Sequence, residues 1–292
     1  MPENLSIFKT PESQAKYMAA YDAALTLWPV PYESFDVPTR FGKTHIIASG
    51  PKGAPPLVLL HATSASSTMW FPNIADMSRE YRVYALDIIG DAGKSVVSYP
   101  PQNKSDYALW LTDVFNELNV TQADVVGASY GGWVTMSLAL YARELVKKIV
   151  LLSPPAAFAP FNKRYILRIL PSMLYPIRPF IINSIRPLFV KRPNETYLEQ
   201  LVLAATCKFK LVFPTKFTDD ELQQIKTPAL LLIGENEVIF SASKAIDRAT
   251  RLMPNIQAEM IPDAGHIPSM DQSEMVNERI LNFLNKNFQA SG

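Results

Sequence analysis

Gly127-Ala128-Ser129-Tyr130-Gly131 is a GxSxG run that follows the apolar stretch Ala123-Asp124-Val125-Val126. A serine on a sharp strand-to-helix turn presents its hydroxyl outward, and the crowding of such a turn excludes bulk two residues to either side. That accounts for glycine at 127 and 131. The bare pattern is weak, because glycine and serine are common turn residues, so its surroundings must carry the argument. Val125-Val126 suit a buried parallel strand, and Tyr130 to Ala142 carries no charge, the mark of a helix buried all round. Strand, turn and core helix in that order make Ser129 the candidate nucleophile.

A serine hydroxyl is barely ionised at neutral pH and needs a base to take its proton as it attacks, a task that imidazole suits. The chain has three histidines. His45 lies within an early strand-like run, and His61 ends another, where it could orient the following turn. His266 follows a strand-like run in Pro262-Asp263-Ala264-Gly265-His266. The loops beyond strand carboxyl ends are where open α/β sheets build their sites, so His266 is the candidate base. Such a base wants a carboxylate on its other nitrogen. The loop after Gly234 reads Glu235-Asn236-Glu237-Val238-Ile239 and contains no aspartate. Glu237 is preferred as the acid, Glu235 is the alternative, and two solvated loop glutamates are the plain reading. The oxyanion formed on attack needs backbone N–H donors. Tyr130, directly after the serine, supplies one, and Thr63 in the small-residue loop Ala62-Thr63-Ser64-Ala65-Ser66-Ser67 is the candidate for the other.

The elements that must hold these residues alternate. Strand-like runs at 43–48, 57–61, 82–87, 123–126, 148–152, 229–233 and 256–261 are separated by helical stretches such as 107–118 and 243–252. Most are continuously apolar, as in a parallel sheet covered on both faces. Residues 1–30 form an extension whose Tyr17, Tyr21, Leu25 and Trp28 recur at helical spacing, predicting a helix strapped onto the core. From Pro154 to Thr218 there is no convincing strand, only aromatics, aliphatics and prolines 171, 176, 179 and 187, which predict short helices. This segment is read as a cap inserted between the sixth and seventh core strands. The expected division is therefore 1–153 as the first part of the core, 154–217 as the helical cap and 218–292 as the second part.

With 48% apolar residues, 19% charged residues and a formal charge of +1, the 292-residue chain has no overall attraction for nucleic acid. Its lone Cys207 excludes an internal disulfide, and three scattered histidines offer no metal-ligand spacing. No cofactor or metal is expected. The N-terminus lacks the basic start and apolar run of a signal peptide, and no stretch is long and apolar enough to span a bilayer. A cytoplasmic protein is expected.

The chain resembles the α/β-hydrolase superfamily. His61-Ala62-Thr63 is similar to its HGx oxyanion turn, with alanine where glycine is usual. Asp87-Ile88-Ile89-Gly90-Asp91-Ala92-Gly93-Lys94-Ser95 is similar to its DxxGxGxS segment, and Gly127 to Gly131, Gly234 with Glu237, and Gly265-His266 match its elbow, acid loop and base. The resemblance implies a mostly parallel eight-stranded sheet flanked by helices, with an inserted helical cap. Trp70-Phe71-Pro72-Asn73-Ile74 and the glutamate acid resemble bacterial carboxylesterases with a lid, which implies ester hydrolysis without a cofactor. Carbon–carbon bond hydrolysis of a dienoic diketone on the same triad is the alternative, and a ligand-binding protein on a retained hydrolase fold is a third reading.

Residues 155–218 hold ten Lys and Arg against Glu195 and Glu199, a cap of +8 over a remainder of −7. Such a split favours an anionic substrate, an anionic lipid surface, or a homodimer contact between cap and core, against the plain reading of a solvated face. The cap's Phe158, Phe161, Tyr165, Leu167, Leu170, Met173, Leu174 and Tyr175 are expected mainly to form its own core, with some lining a pocket for a hydrophobic ester.

Overall fold

The structure, a computed structural model, describes residues 5–286. The ends of the two expected core segments, 1–4 and 287–292, lie outside the described residues. Nine strands form one sheet: β1 (Glu33–Thr39), β2 (Gly42–Ser49), β3 (Pro56–Leu60), β4 (Arg82–Leu86), β5 (Val96–Val97), β6 (Ala123–Ala128), β7 (Val146–Leu152), β8 (Ala229–Gly234) and β9 (Ile256–Ile261). Their order is β1-β2-β4-β3-β6-β7-β8-β9, and the two-residue β5 pairs with β2 off this path. The main path thus has the eight strands that the resemblance implies. From β4 to β9 all pairings are parallel, while β1, β2 and β4 pair antiparallel. The chain runs from β3 to β4 on one side and then crosses to β6 on the other, so the order reverses between β3 and β6. Loops at the carboxyl ends of these strands face a crevice of the kind in which open α/β sheets bind ligands.

Two strands were not singled out by the sequence reading, the two-residue β5 and, on the main path, β1. Strand β1 is mostly exposed, contains Pro38, and turns back onto β2 through Gly42, whose φ of +133° suits only glycine. Proline is tolerated there because β1 is an edge strand.

Helices cover both faces. Helix α1 (Pro11–Leu25) is capped by Thr10, and its buried Tyr17 and Tyr21 point inward as the spacing predicts. It straps onto more than the sheet: Tyr21 Oη lies 2.9 Å from Ser67 Oγ, and Gln200 Nε2 donates to Tyr17 Oη. Helices α2 (Ile74–Glu80), α3 (Lys104–Glu117) and α4 (Tyr130–Tyr141) follow, and α4 is buried from Tyr130 to Ala139, as its uncharged sequence demands.

Between β7 and β8 the chain forms α5 (Lys163–Leu174), α6 (Arg178–Ile185), α7 (Glu195–Ala204) and α8 (Asp219–Gln224), with no strand. Pro171 does not divide this segment, because it sits inside α5, while Pro176 lies between α5 and α6 and Pro179 falls in the first turn of α6. The expectation of a cap core also fails along α5. Leu167, Met173, Leu174 and Tyr175 are 64–70% exposed, and no residue of α5 is buried. Helices α9 (Ala242–Leu252), α10 (Pro268–Asp271) and α11 (Ser273–Leu284) complete the fold. Among the described residues no helix is long and apolar enough to cross a membrane.

Candidate active site

Ser129 sits between β6 and α4 with φ 49° and ψ −115°, backbone that side-chain-bearing residues rarely adopt. The flanking glycines answer to close approach. A Cβ on Gly127 would lie 2.3 Å from the Gly131 carbonyl oxygen, and one on Gly131 would lie 2.2 Å from the Leu60 carbonyl oxygen. Helix and strand therefore pack at a distance that only glycine permits, and the turn lifts Ser129 above the sheet.

Two distant loops meet it there. Ser129 Oγ is 2.8 Å from His266 Nε2, and His266 Nδ1 is 2.7 Å from Glu237 Oε2. The His266 and Glu237 side chains are 2% and 0% exposed. Glu237 Oε1 accepts the Ile239 N–H at 2.8 Å, which fixes the carboxylate plane. With Glu237 accepting, Nδ1 carries the proton and Nε2 is left to accept the serine proton. Glu235 is exposed and turns away, its Oε2 3.4 Å from the Asp263 amide nitrogen. The other histidines lie elsewhere. His45 Nδ1 contacts Asp36 and its Nε2 contacts Ser34. His61 is fully buried, donates from Nδ1 to the Ala62 carbonyl and accepts the Ile88 N–H on Nε2, so it orients the turn after β3. Burial also holds its pKa below the ordinary value, which keeps it neutral.

The amides around Ser129 can be accounted for one by one. Ser129 N–H donates to Leu152, Gly131 N–H to His61 and Gly132 N–H to Ser129. Tyr130 opens α4, so its N–H has no partner within the helix. In the loop after β3, Ala62 N–H donates to Met69 Sδ, Ser64 N–H to Asp91, and Ala65 N–H to Ala62. Among the described residues Thr63 N–H has no hydrogen-bond partner. Two donors, from Thr63 and Tyr130, thus remain, and both residues line the cavity that holds Ser129 and His266. That cavity measures about 490 Å³ and is walled by side chains such as Phe161, Tyr165, Ile169, Leu188 and Val212. It contains no Lys, Arg, Asp or Glu. Arg178 and Arg186 instead line a separate cleft. Among the described residues no cluster of His, Cys, Asp or Glu is placed to hold a metal ion. Cys207 is half-buried, and burial pushes its thiol up to about 12, which leaves it unreactive.

Residues 57–279 match the model of the alpha/beta hydrolase family. The chain belongs to that family. The carboxylesterase nap of Bacillus subtilis is 43% identical to this hydrolase, with 96% of each chain covered. Carboxylesterase YbfK of the same organism is 41% identical, covering 95% of this chain and 96% of that one. The crystal structure of naproxen esterase (carboxylesterase NP) from Bacillus subtilis superposes with a TM-score of 0.90 at 39% identity, covering 95% of this hydrolase and all of that chain.

Two buried aspartates hold the hydrolase's loops, and sequence reasoning gave neither a role. Asp271 accepts from Gly265 N–H beside the histidine and from Val190 and Lys191 N–H between β7 and β8, so it ties the His266 loop to that segment. Asp91, quoted only as part of the DxxGxGxS-like segment, accepts from Ser64 N–H at 3.1 Å and Ala92 N–H at 2.7 Å. It therefore grips the residue next to Thr63, and Ser64 itself is held at φ 66°. His61 Nδ1 is 3.9 Å away and stays neutral. Burial, and more weakly the charge of Asp87, push the Asp91 carboxyl up to about 7, against the two amide hydrogen bonds. The unfolded carboxyl ionises near 3.8, so the folded chain binds one more proton between about 4 and 7, and stability falls as pH rises through that window. Asp91→Asn removes this titration while keeping an acceptor. Between pH 5 and pH 8 the wild type should lose on the order of 2 kcal/mol relative to Asp91→Asn in urea unfolding. Parallel pH curves for the two proteins would refute the buried ionisation.

Proposed function

We propose that this protein is a serine carboxylesterase that cleaves small to medium hydrophobic carboxylic esters through an acyl-enzyme intermediate. The observation that carries the reading is the line of hydrogen bonds from Ser129 through His266 to Glu237 at the floor of an apolar cavity. The carboxylesterase names of relatives at 41–43% identity support the ester as the bond cleaved.

Ser129 Oγ attacks the ester carbonyl while His266 Nε2 takes its proton, and Glu237 stabilises the imidazolium through Nδ1–H. The carbonyl oxygen becomes an oxyanion held by the N–H groups of Thr63 and Tyr130, each such donor being worth about 10²- to 10³-fold in rate. His266 then gives its proton to the departing alkoxide, and the acyl group stays on Ser129. A water, deprotonated by His266, attacks the acyl-enzyme, and collapse of the second tetrahedral intermediate frees the acid and restores Ser129. No cofactor enters any step. Residues 154–217 act as the cap over the acyl site, with 1–153 and 218–292 as the core. The lone Cys207, which allows no internal disulfide, supports a cytoplasmic location.

An uncharged cavity favours acyl chains that add methylene groups over those that add charge. Each buried methylene contributes about 0.8 kcal/mol, so kcat/KM for p-nitrophenyl butyrate should exceed that for the acetate by about tenfold. The p-nitrophenyl monoester of succinate should fall below the butyrate. A dienoic diketone turned over faster than every ester would replace this reading with carbon–carbon hydrolysis, and a preference for the succinyl ester would contradict the apolar acyl site.

A further inference from the structure

Helix α5 turns its apolar side outward. Tyr165, Ile169 and Ser172 line the catalytic cavity, whereas Leu167, Leu170 and Leu174 are 69%, 44% and 64% exposed on the other side. The apolar surface continues through Tyr175 and Ile177 into the start of α6. Among the described residues ten of the sixteen exposed large hydrophobic side chains fall between Ile166 and Phe213. Single exposed hydrophobics are ordinary, but a contiguous set on one helix marks a surface that meets something.

The charge of the same segment selects the partner. Ten cations stand between residues 155 and 218, and the two acids there are already taken, Glu199 by Arg178 and Glu195 by Arg192. A cleft of about 690 Å³ in this segment gathers Arg168, Arg178, Arg186, Lys191 and Arg192, and it shares Ile185 and Phe189 with the wall of the catalytic cavity. Lys163 and Arg164 flank the apolar side of α5 at its first turn. Apolar side chains bordered by Lys and Arg are the chemistry of a helix lying in the headgroup region of an anionic bilayer.

A second copy of the chain fits less well. Cap against cap would oppose two surfaces of +8. Cap against core would need an apolar patch on the core, yet among the described residues its six exposed large hydrophobics, Leu5, Tyr32, Tyr99, Leu109, Tyr141 and Met260, lie on six different segments.

We propose that the outer face of α5 and the start of α6 dock this protein onto an anionic lipid surface. Met173 and Phe213 are 70% and 74% exposed and also line the catalytic cavity, so the cavity reaches the surface beside the docking face. Docking would bring ester dissolved in the lipid directly to Ser129.

Vesicle flotation tests this with the full chain and without reference to catalysis. The wild type should float with vesicles of equal parts phosphatidylglycerol and phosphatidylcholine at least about tenfold more than with pure phosphatidylcholine, and salt near 0.5 M should remove most of that difference. Leu167→Asp/Leu174→Asp and Lys163→Glu/Arg164→Glu should each lower flotation by about tenfold or more. Both variants should hydrolyse dissolved p-nitrophenyl butyrate like the wild type, which separates loss of docking from loss of fold. If either pair of changes leaves flotation on the anionic vesicles intact, or the wild type does not float, the proposal fails. It also fails if light scattering shows a dimer that the leucine changes dissolve, because a second copy then covers the face.

Discussion

Glu237→Gln should lower kcat for p-nitrophenyl butyrate by about 10³- to 10⁴-fold, while Glu235→Gln should stay within about twofold of the wild type. The contrast follows from what each carboxylate touches. Glu237 uses one oxygen for the Ile239 N–H and the other for His266 Nδ1–H. A glutamine has one oxygen for these two donors. If it serves Ile239, its amide group faces Nδ1 and forces the tautomer in which Nε2 carries the proton, so His266 can no longer accept from Ser129. If it serves His266, an N–H group is set against the Ile239 N–H and the negative charge that stabilises the imidazolium is still lost. Glu235 is exposed, its carboxylate accepts the Asp263 N–H, and its replacement removes nothing from this line. Steady-state kinetics on the two variants decides the matter, and a larger loss at Glu235 would transfer the acid role there.

Ser129→Ala should lower ester turnover by at least about 10⁴-fold, because the group proposed to form the acyl-enzyme is gone and what remains is binding plus the oxyanion donors. The fold should survive. Ser129 holds its turn through its backbone, with its N–H donated to Leu152 and the close contacts made by Gly127 and Gly131, and none of these uses the hydroxyl. A thermal midpoint near that of the wild type, with turnover lowered by at least about 10⁴-fold, is the expected pairing.

Much of the site was legible in the sequence because its signals are local. The elbow announces itself through steric need: two glycines around a serine, between an apolar strand and an uncharged helix, have few other reasons to occur together. His266 was legible by elimination among three histidines and by its loop beyond a strand end. The choice between Glu235 and Glu237 was not local, since it depends on which carboxylate the loop turns inward, and that is set by Ile239 N–H and by the position of His266. The work of Asp91 and Asp271 was equally hidden. Asp91 holds Ser64 from 27 residues away, and Asp271 holds Lys191 from 80 residues away, so no window of sequence contains both partners.

In the fold, the continuously apolar parallel strands declared themselves, whereas β1 did not, because an exposed edge strand needs no apolar pattern and tolerates Pro38. The inserted segment was misjudged in one respect. Leu167, Leu170 and Leu174 have the composition of a helix core, and periodicity identifies their common face without saying whether protein or solvent lies against it.

The central claim is that Ser129 carries the acyl group, and trapping tests it most directly. A fluorophosphonate probe incubated with the intact protein should add one adduct, mapped by peptide mass spectrometry to Ser129 within the Gly127–Gly131 peptide, with stoichiometric loss of esterase activity, and Ser129→Ala should take up none. An adduct on another residue, or esterase activity that persists in protein fully labelled at Ser129, would contradict the account.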